Sequence, residues 1–316
     1  MATLRYLSLP VRCSMRILSL IDTFIFNPDR DTRVQTVFRV ALGCQLFAEF
    51  LLLAPSWLLY FADPPISEHY HSNLFSISDS AYYLYTLLCV GVGASLTLAL
   101  GFHARLSAVT LFLLQRSMVL QSPVLVNGHD YVFTVLLFCA MWMPLGTVSH
   151  FSTTQLTTKT IFTSMWARRL AQVLFVLMYL STGISKPLDD VHWRNGTAIA
   201  WITLSSRWSS FPSSTFLIKP YVSMALTYYT LAVEILAPLL VWIPRLRLLM
   251  ILAMCSLHLG IIMLMDSCIL LFNTGSMTWA ILFAKDEDLR TLSRWLKNIG
   301  SLRRFLVIKK RIAHRK

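Results

Sequence analysis

The stretch RLAQVLFVLMYLSTGISKPLDDVHWRNGTA, residues 169–198, decides how the chain is interpreted. It begins with a largely apolar run, long enough to cross a bilayer as an α-helix, that ends at Lys186. Pro187 follows and is expected to end the helix. Asp189 and Asp190 come next, close enough in sequence to pair with Lys186. A lysine at this boundary either anchors the helix among lipid headgroups or acts as a base.

The composition indicates a membrane protein. Of the 316 residues, 56% are hydrophobic and only 14% are charged, whereas about a quarter of a soluble domain is charged. The apolar residues lie in long uncharged runs, which predict an all-α, polytopic helical membrane protein with a single domain. We predict eight spans, at residues 37–61, 80–101, 104–125, 131–147, 169–186, 222–243, 246–265 and 268–284.

The charges divide the chain into three parts. Residues 1–36 alternate short apolar runs with arginines and predict an interfacial amphipathic segment, before a transmembrane domain over 37–284. Residues 285–316 hold eleven Lys and Arg, and the chain carries a net charge of +13. We expect this basic tail to contact anionic lipids rather than nucleic acid. The positive loops place both termini in the cytoplasm, although the loop 186–221 is basic on the outer side.

The sequence predicts no disulfide framework and no metal site. Its six cysteines are scattered without a CxxC pair and resemble small buried hydrophobes. His69 and His71 form an H-x-H pair in a loop, which is too weak a signal for a metal site. The chain has no Walker loop, GxSxG elbow, HExxH or GxGxxG, which disfavours ATPases, serine hydrolases, zinc proteases and Rossmann enzymes.

Three charged residues fall inside apolar spans. Glu49, Arg116 and Glu234 would each cost several kcal/mol if buried alone. We therefore expect Arg116 to pair with Glu49 or Glu234, and a functional role for these charges is the alternative. Such pairing would fix how the spans pack.

Four segments resemble a known family. They are Asn127-Gly-His-Asp-Tyr131 running to Trp142-Met-Pro-Leu-Gly146; Tyr179–Ala198, with the pattern Y…K…W-x-x-G-x-A; Glu234-Ile-Leu-Ala-Pro238; and Leu257-His-Leu-Gly260. On these segments, over roughly residues 35–285, the chain resembles the HTTM family. The best-known member of that family is the vitamin K-dependent gamma-carboxylase, and the sporulation-delaying protein B family is similar.

The resemblance implies a site. Lys186 matches the catalytic base that deprotonates vitamin K hydroquinone in the carboxylase, and His129 matches a histidine of its membrane domain. The resemblance thus implies Lys186 and His129 as catalytic residues and a reduced, vitamin K-like quinone as a candidate cofactor. His129 also falls on the same predicted face as Lys186 and could orient or shuttle a proton. The candidate ligand-binding residues are Asn127, Asp130, Tyr179, Trp193, Gly196 and His258.

Two classes of function fit this pattern. In the first, the protein is a membrane enzyme that uses Lys186 as general base on a quinone-like, lipid or peptide substrate at the outer face. In the second, it is a non-catalytic maturation, immunity or transport partner of a secreted peptide, as the sporulation-delaying relatives suggest. The carboxylase binds the propeptides of its substrates through a large luminal portion. This sequence continues only about thirty residues past its last predicted span, so carboxylation of a protein substrate is not expected. The oligomeric state is not indicated.

Overall fold

The computed structural model describes residues 24, 31–62, 73–122, 126–145, 165–206, 208–210, 215–265, 269–295 and 297–298. In this part of the chain the regular structure is helical, apart from an isolated bridge between Ser209 and Met265. The all-α prediction is therefore confirmed. Most of the interfacial segment predicted at 1–36, the loop with His69 and His71, and the end of the basic tail lie outside the described residues.

Helices account for most of the described chain. Two short 3₁₀ turns, Ala54–Ser56 and Phe75–Ile77, interrupt the series. The α-helices are α1 (Thr32–Leu53), α2 (Trp57–Phe61), α3 (Ala81–Leu100), α4 (Ala104–Gln121), α5 (Gly128–Trp142), α6 (Trp166–Asp189), α7 (Val191–Arg194), α8 (Ala198–Leu204), α9 (Pro220–Leu240), α10 (Arg247–Leu264) and α11 (Leu270–Ile281).

Five of the eight predicted spans are confirmed as helices long and apolar enough to cross a membrane. They are Thr32–Phe61, Ala81–Leu100, Trp166–Asp189, Pro220–Leu240 and Arg247–Leu264. The other three predicted spans correspond to α4, α5 and α11, which do not meet that standard among the described residues. The 15-residue α5 and the 12-residue α11 rise only about 23 and 18 Å, less than the ~30 Å hydrocarbon core. α4 is long enough but carries Arg105, Gln115, Arg116 and Gln121.

Helix α11 holds the bundle together. It packs against α1, α5, α6 and α10. On one side of α11, α3 packs against both α1 and α4, and α4 packs against α5. On the other side, α9 packs between α6 and α10. A short, centrally placed helix is therefore surrounded by longer ones, and polar residues on α11 can reach several neighbours.

A polar network closes one end of this bundle. The guanidinium of Arg168, at the start of α6, donates to the carbonyl of Leu282 at 2.7 Å and pairs with Asp31 at 3.1 Å. The Asp286 carboxylate accepts the backbone N–H groups of Arg33 and Val34 at the start of α1, at 3.1 and 3.0 Å. The beginnings of α1 and α6 and the end of α11 are thus tied together.

Helices α6 and α9 approach each other closely at Gly183. A Cβ atom at that position would lie 2.9 Å from Ile235 Cγ1 and 3.0 Å from Glu234 Cβ. These distances are shorter than carbon atoms tolerate, so only glycine permits the approach. Because Lys186 lies one turn further along α6, this contact brings it opposite α9.

Helix α1 begins at Thr32, a few residues before the span predicted at about 37–61. One sequence prediction about a helix end was wrong. Helix α6 continues through Pro187 to Asp189 instead of ending at the proline. Pro187 lies in the last turn, where its missing N–H removes only one bond, and the turn is closed by the backbone N–H of Asp190 donating to the carbonyl of Lys186 at 3.1 Å.

The glycine contact predicts a stability difference. Gly183→Ala should lower the thermal stability of the purified protein, by about 1–3 kcal/mol of unfolding free energy, because the added methyl group overpacks the α6–α9 contact. Gly260→Ala is the matched control, since Gly260 is also helical and nothing lies within 4 Å of the position of its Cβ. Melting curves in detergent measure both. Equal melting temperatures for the two variants would contradict the close packing.

Candidate functional site

Five polar side chains from four helices meet inside the bundle. Tyr179 and Lys186 come from α6, Glu234 from α9, His258 from α10 and Asn273 from α11. We call them the Lys186 cluster. All but Lys186 are buried. The positions of these residues are set by the packing of α6, α9, α10 and α11 described above.

Lys186 forms an ion pair with Glu234. Its Nζ donates to both carboxylate oxygens, and the two side chains are 27% and 10% exposed. The Nζ atom also lies 5.2 Å from the centre of the Trp193 ring, within cation–π range. The lysine therefore turns toward α9 rather than toward the lipid headgroups.

The ion-pair partner of Lys186 is not a carboxylate close to it in sequence. Asp189 and Asp190 follow Lys186 within four residues, but the Asp190 side chain accepts the backbone N–H of His192 at 2.8 Å and caps α7. The ion-pair partner, Glu234, is 48 residues away and is reached only through the α6–α9 packing.

A buried hydrogen-bonded chain lies beside the ion pair. The Asn273 Nδ2 group donates to the carbonyl of Ile269 at 2.8 Å, so its Oδ1 faces His258 Nδ1, 2.7 Å away. This arrangement assigns the proton to His258 Nδ1. His258 Nε2 is then the acceptor for the hydroxyl of Tyr179. The ring of Phe175 stacks on Tyr179, with 4.3 Å between ring centres.

The ion pair and the hydrogen-bonded chain share helix α6. Lys186 and Tyr179 both project from α6, to Glu234 on α9 and to His258 on α10 respectively. The arrangement offers a base, an acid and a fixed hydrogen-bond chain within one apolar bundle.

A second cluster contains Glu49, Gln115, His129 and Asp130, and we call it the Glu49 cluster. Gln115 Nε2 donates to Glu49 Oε1 at 3.1 Å and to Asp130 Oδ1 at 2.9 Å. His129 Nε2 lies 3.7 Å from Glu49 Oε1 and 3.8 Å from Asp130 Oδ1. Burial lowers the pKa of His129, with Asp130 partly opposing the change.

The predicted pairing of Arg116 was wrong. Among the described residues, Glu234 pairs with Lys186 and Glu49 with the Gln115 amide, and Arg116 pairs with neither carboxylate. Gln115 and Arg116 are consecutive on α4 and therefore point about 100° apart. The helix presents the amide, not the guanidinium, to Glu49.

Asn127 and Asp130 hold the start of α5 through a capping box. The backbone N–H of Asn127 donates to Asp130 Oδ2 at 2.7 Å. This local pairing explains the Asn-Gly-His-Asp sequence structurally. It also fixes the Asp130 carboxylate with its other oxygen, Oδ1, turned toward Gln115 and His129.

The two clusters lie toward the same end of the bundle but are separate. The rings of Trp142 and Trp166 are 5.7 Å apart, so the end of α5 meets the start of α6 and the helices are antiparallel. At 1.5 Å of rise per residue, His129 lies about 20 Å from that contact along α5, and Lys186 lies about 30 Å from it along α6. Both residues are therefore far from the Trp142–Trp166 end of the bundle. Phe272 lies between the clusters, against Gly128 on one side and His258 on the other.

The remaining candidates surround the Lys186 cluster. Gly196 separates α7 from α8 and has φ 74°, a conformation that favours glycine. Its carbonyl accepts the hydroxyls of Ser223 and Thr227 on α9, at 3.0 and 3.3 Å. This contact docks the α7–α8 segment, which carries Trp193, on α9. Gly196 thus positions Trp193 beside Lys186.

Sequence reasoning did not assign Gln115 or Asn273 to a site. Both are fully buried amides. The signal available in the sequence was an amide on a largely apolar helix, which in a membrane bundle usually bonds to another helix. That signal does not name the partner, so neither cluster could be assembled from it.

Comparison with known proteins gives one finding. The family model described as the HTTM domain matches residues 27–286, which is more than half of the chain and includes both clusters. No curated protein and no solved structure matches the chain significantly. The resemblance drawn from the four sequence segments is confirmed at the level of the family.

The ion pair predicts a coupling energy. Lys186→Met or Glu234→Leu alone should each destabilise the protein, because each leaves one charge unpaired inside the bundle. The loss of unfolding free energy in the double variant should be smaller, by about 1–3 kcal/mol, than the sum of the losses in the single variants. Values at the lower end are expected because Lys186 is partly exposed to solvent. Chemical or thermal unfolding in detergent measures the cycle. Strictly additive effects would show that the pair does not form.

Proposed function

The chain belongs to the HTTM family, and we propose that it is a membrane enzyme in which Lys186 acts as a general base on an apolar ligand, such as a reduced quinone or a lipid. The observation that carries this proposal is the direction of the Lys186 side chain. It turns into the bundle toward Glu234, beside the Tyr179–His258 pair. An interfacial anchor would instead extend its ammonium toward the headgroups.

The ion pair supplies a route to a neutral amine. In an apolar bundle, a separated pair of charges is poorly solvated. Transfer of one proton from Lys186 Nζ to a Glu234 carboxylate oxygen breaks an N–H bond, forms an O–H bond and leaves both groups neutral. The lone pair of the amine can then take a proton from a ligand hydroxyl, which becomes an oxyanion beside the newly formed ammonium.

Tyr179, His258 and Asn273 fit a positioning role. The fixed His258 tautomer holds the Tyr179 hydroxyl as a donor in the ground state. The phenol oxygen remains able to accept a hydrogen bond from a ligand that approaches the ion pair. Trp193 covers the ammonium side of the pair and offers an aromatic surface to a flat apolar ligand.

His129 is assigned no proton-transfer step in this proposal. Its ring lies in the Glu49 cluster, and Phe272 lies between that cluster and the Lys186 cluster. The resemblance that made His129 a catalytic candidate therefore stays a prediction for this residue. The proposed chemistry depends on Lys186 and Glu234, with Tyr179 and His258 beside them.

An oxygen electrode tests the proposed base. The purified protein in lipid vesicles is given a reduced naphthoquinone, whose deprotonated form passes two electrons to O₂ and yields the quinone and hydrogen peroxide. The wild type should raise the rate of oxygen consumption over empty vesicles. In Lys186→Ala, the protein-dependent rate of oxygen consumption should be at least about 100-fold lower than in the wild type, which is the size of effect expected for a general base.

Lys219→Ala is the matched control. Lys219 lies at the start of α9, in the same connecting region as the α7–α8 segment, and is exposed. Its variant should keep the wild-type rate. A wild type no faster than empty vesicles, or a Lys186→Ala variant at the wild-type rate, would overturn the proposal and favour a non-catalytic partner of a secreted peptide.

A further inference from the structure

The Glu49 cluster borders a small cavity. The cavity has a volume of about 150 Å³, and its walls include Glu49, Asn127, His129 and Asp130. Sites for drug-sized ligands are usually about 300–1,000 Å³, so a quinone ring with its tail would not fit. The space suits an ion with a few waters, each of which takes about 30 Å³ in the liquid.

Three buried polar atoms of the Glu49 cluster lack hydrogen-bond partners. Glu49 is 1% exposed, yet its Oε2 has no hydrogen-bond partner in the structure. The buried Oε1 of Gln115 and Nδ1 of His129 are also without partners. Unpaired buried acceptors are costly, by about 1–3 kcal/mol each and more when charged. A fully buried carboxylate facing a cavity thus points to a bound donor or cation.

The cluster brings two carboxyl groups together. Glu49 and Asp130 both lie beside His129 and are bridged by the Gln115 amide. In the described part of the chain, neither carboxylate forms an ion pair with a lysine or arginine. A divalent cation would neutralise both carboxylates at once, without requiring either to be protonated.

The geometry of three atoms fits a metal ion. Glu49, His129 and Asp130 can each offer one ligand atom, and these three atoms all lie within 4.8 Å of one another. One ion can contact all three, because metal bonds to imidazole nitrogen and carboxylate oxygen are about 2.0–2.6 Å long. One nitrogen with two carboxylates suits a first-row transition metal better than Mg²⁺ or Ca²⁺, which take oxygen ligands.

From these observations we propose that Glu49, His129 and Asp130 bind one divalent transition-metal ion, such as Zn²⁺ or Mn²⁺. Gln115 would position the two carboxylates by its hydrogen bonds to Oε1 and Oδ1. The capping box would fix Asp130 from the other side. The site is separate from the Lys186 cluster, and the inference does not depend on the proposed base chemistry.

Metal analysis of the full-length protein tests this inference. The protein is purified without a metal-binding tag, stripped with a chelator and titrated with Zn²⁺ or Mn²⁺, and bound metal is measured by mass spectrometry. The wild type should bind about one ion per chain, and saturation should raise its melting temperature. Glu49→Gln and His129→Asn should each weaken binding at least about tenfold and lose the rise in melting temperature.

Two exposed residues provide matched controls. Glu287→Gln removes a carboxylate on the surface, and His103→Asn alters an exposed histidine at φ 44°, where asparagine is well tolerated. Both should bind metal as the wild type does. Co²⁺ absorption gives a second measurement, because visible bands of a nitrogen- and oxygen-bound ion should appear in folded wild type and be lost in His129→Asn. Absence of saturable binding by the wild type, or equal binding by Glu49→Gln, would overturn the assignment.

Discussion

Buried polar side chains in apolar helices constrain this structure more than any other feature. Glu49 lies on a helix apolar enough to cross a membrane, and so does Glu234. Neither can be solvated by lipid, so each must find its partners inside the bundle. Glu234 finds Lys186, and Glu49 finds Gln115 and the His129 region. The helices that carry these partners are thereby held as neighbours.

Close packing makes these partnerships possible. Gly183 lets α6 approach α9, the helix that carries the partner of Lys186. A similar contact occurs between α1 and α3, where a Cβ at Gly43 would lie 2.8 Å from Ala99 Cβ. Without a hydrophobic force between helices in lipid, small residues and hydrogen bonds determine which helices associate. The same contacts that stabilise the bundle therefore place the candidate site.

The bundle separates two kinds of chemistry. One cluster combines a lysine, a carboxylate and a hydrogen-bonded Tyr179–His258 pair, which suits proton transfer. The other combines two carboxylates, an imidazole and an amide around a small cavity, which suits a cation. The Phe272 ring lies between them on the central helix α11. Both clusters fall within the region matched by the HTTM family.

The sequence by itself determined the all-helical class, five of the spans and the family, because apolar runs and local motifs are properties of consecutive residues. It also named Lys186, Glu234, Tyr179 and His258 as residues of interest. It predicted that Arg116 pairs with Glu49 or Glu234 and did not name the Lys186–Glu234 pair, whose members are 48 residues apart and near only in space. Only the tertiary structure decided the partners, because an ion pair or a metal site between helices depends on which faces meet. That choice is made by packing over long sequence separations.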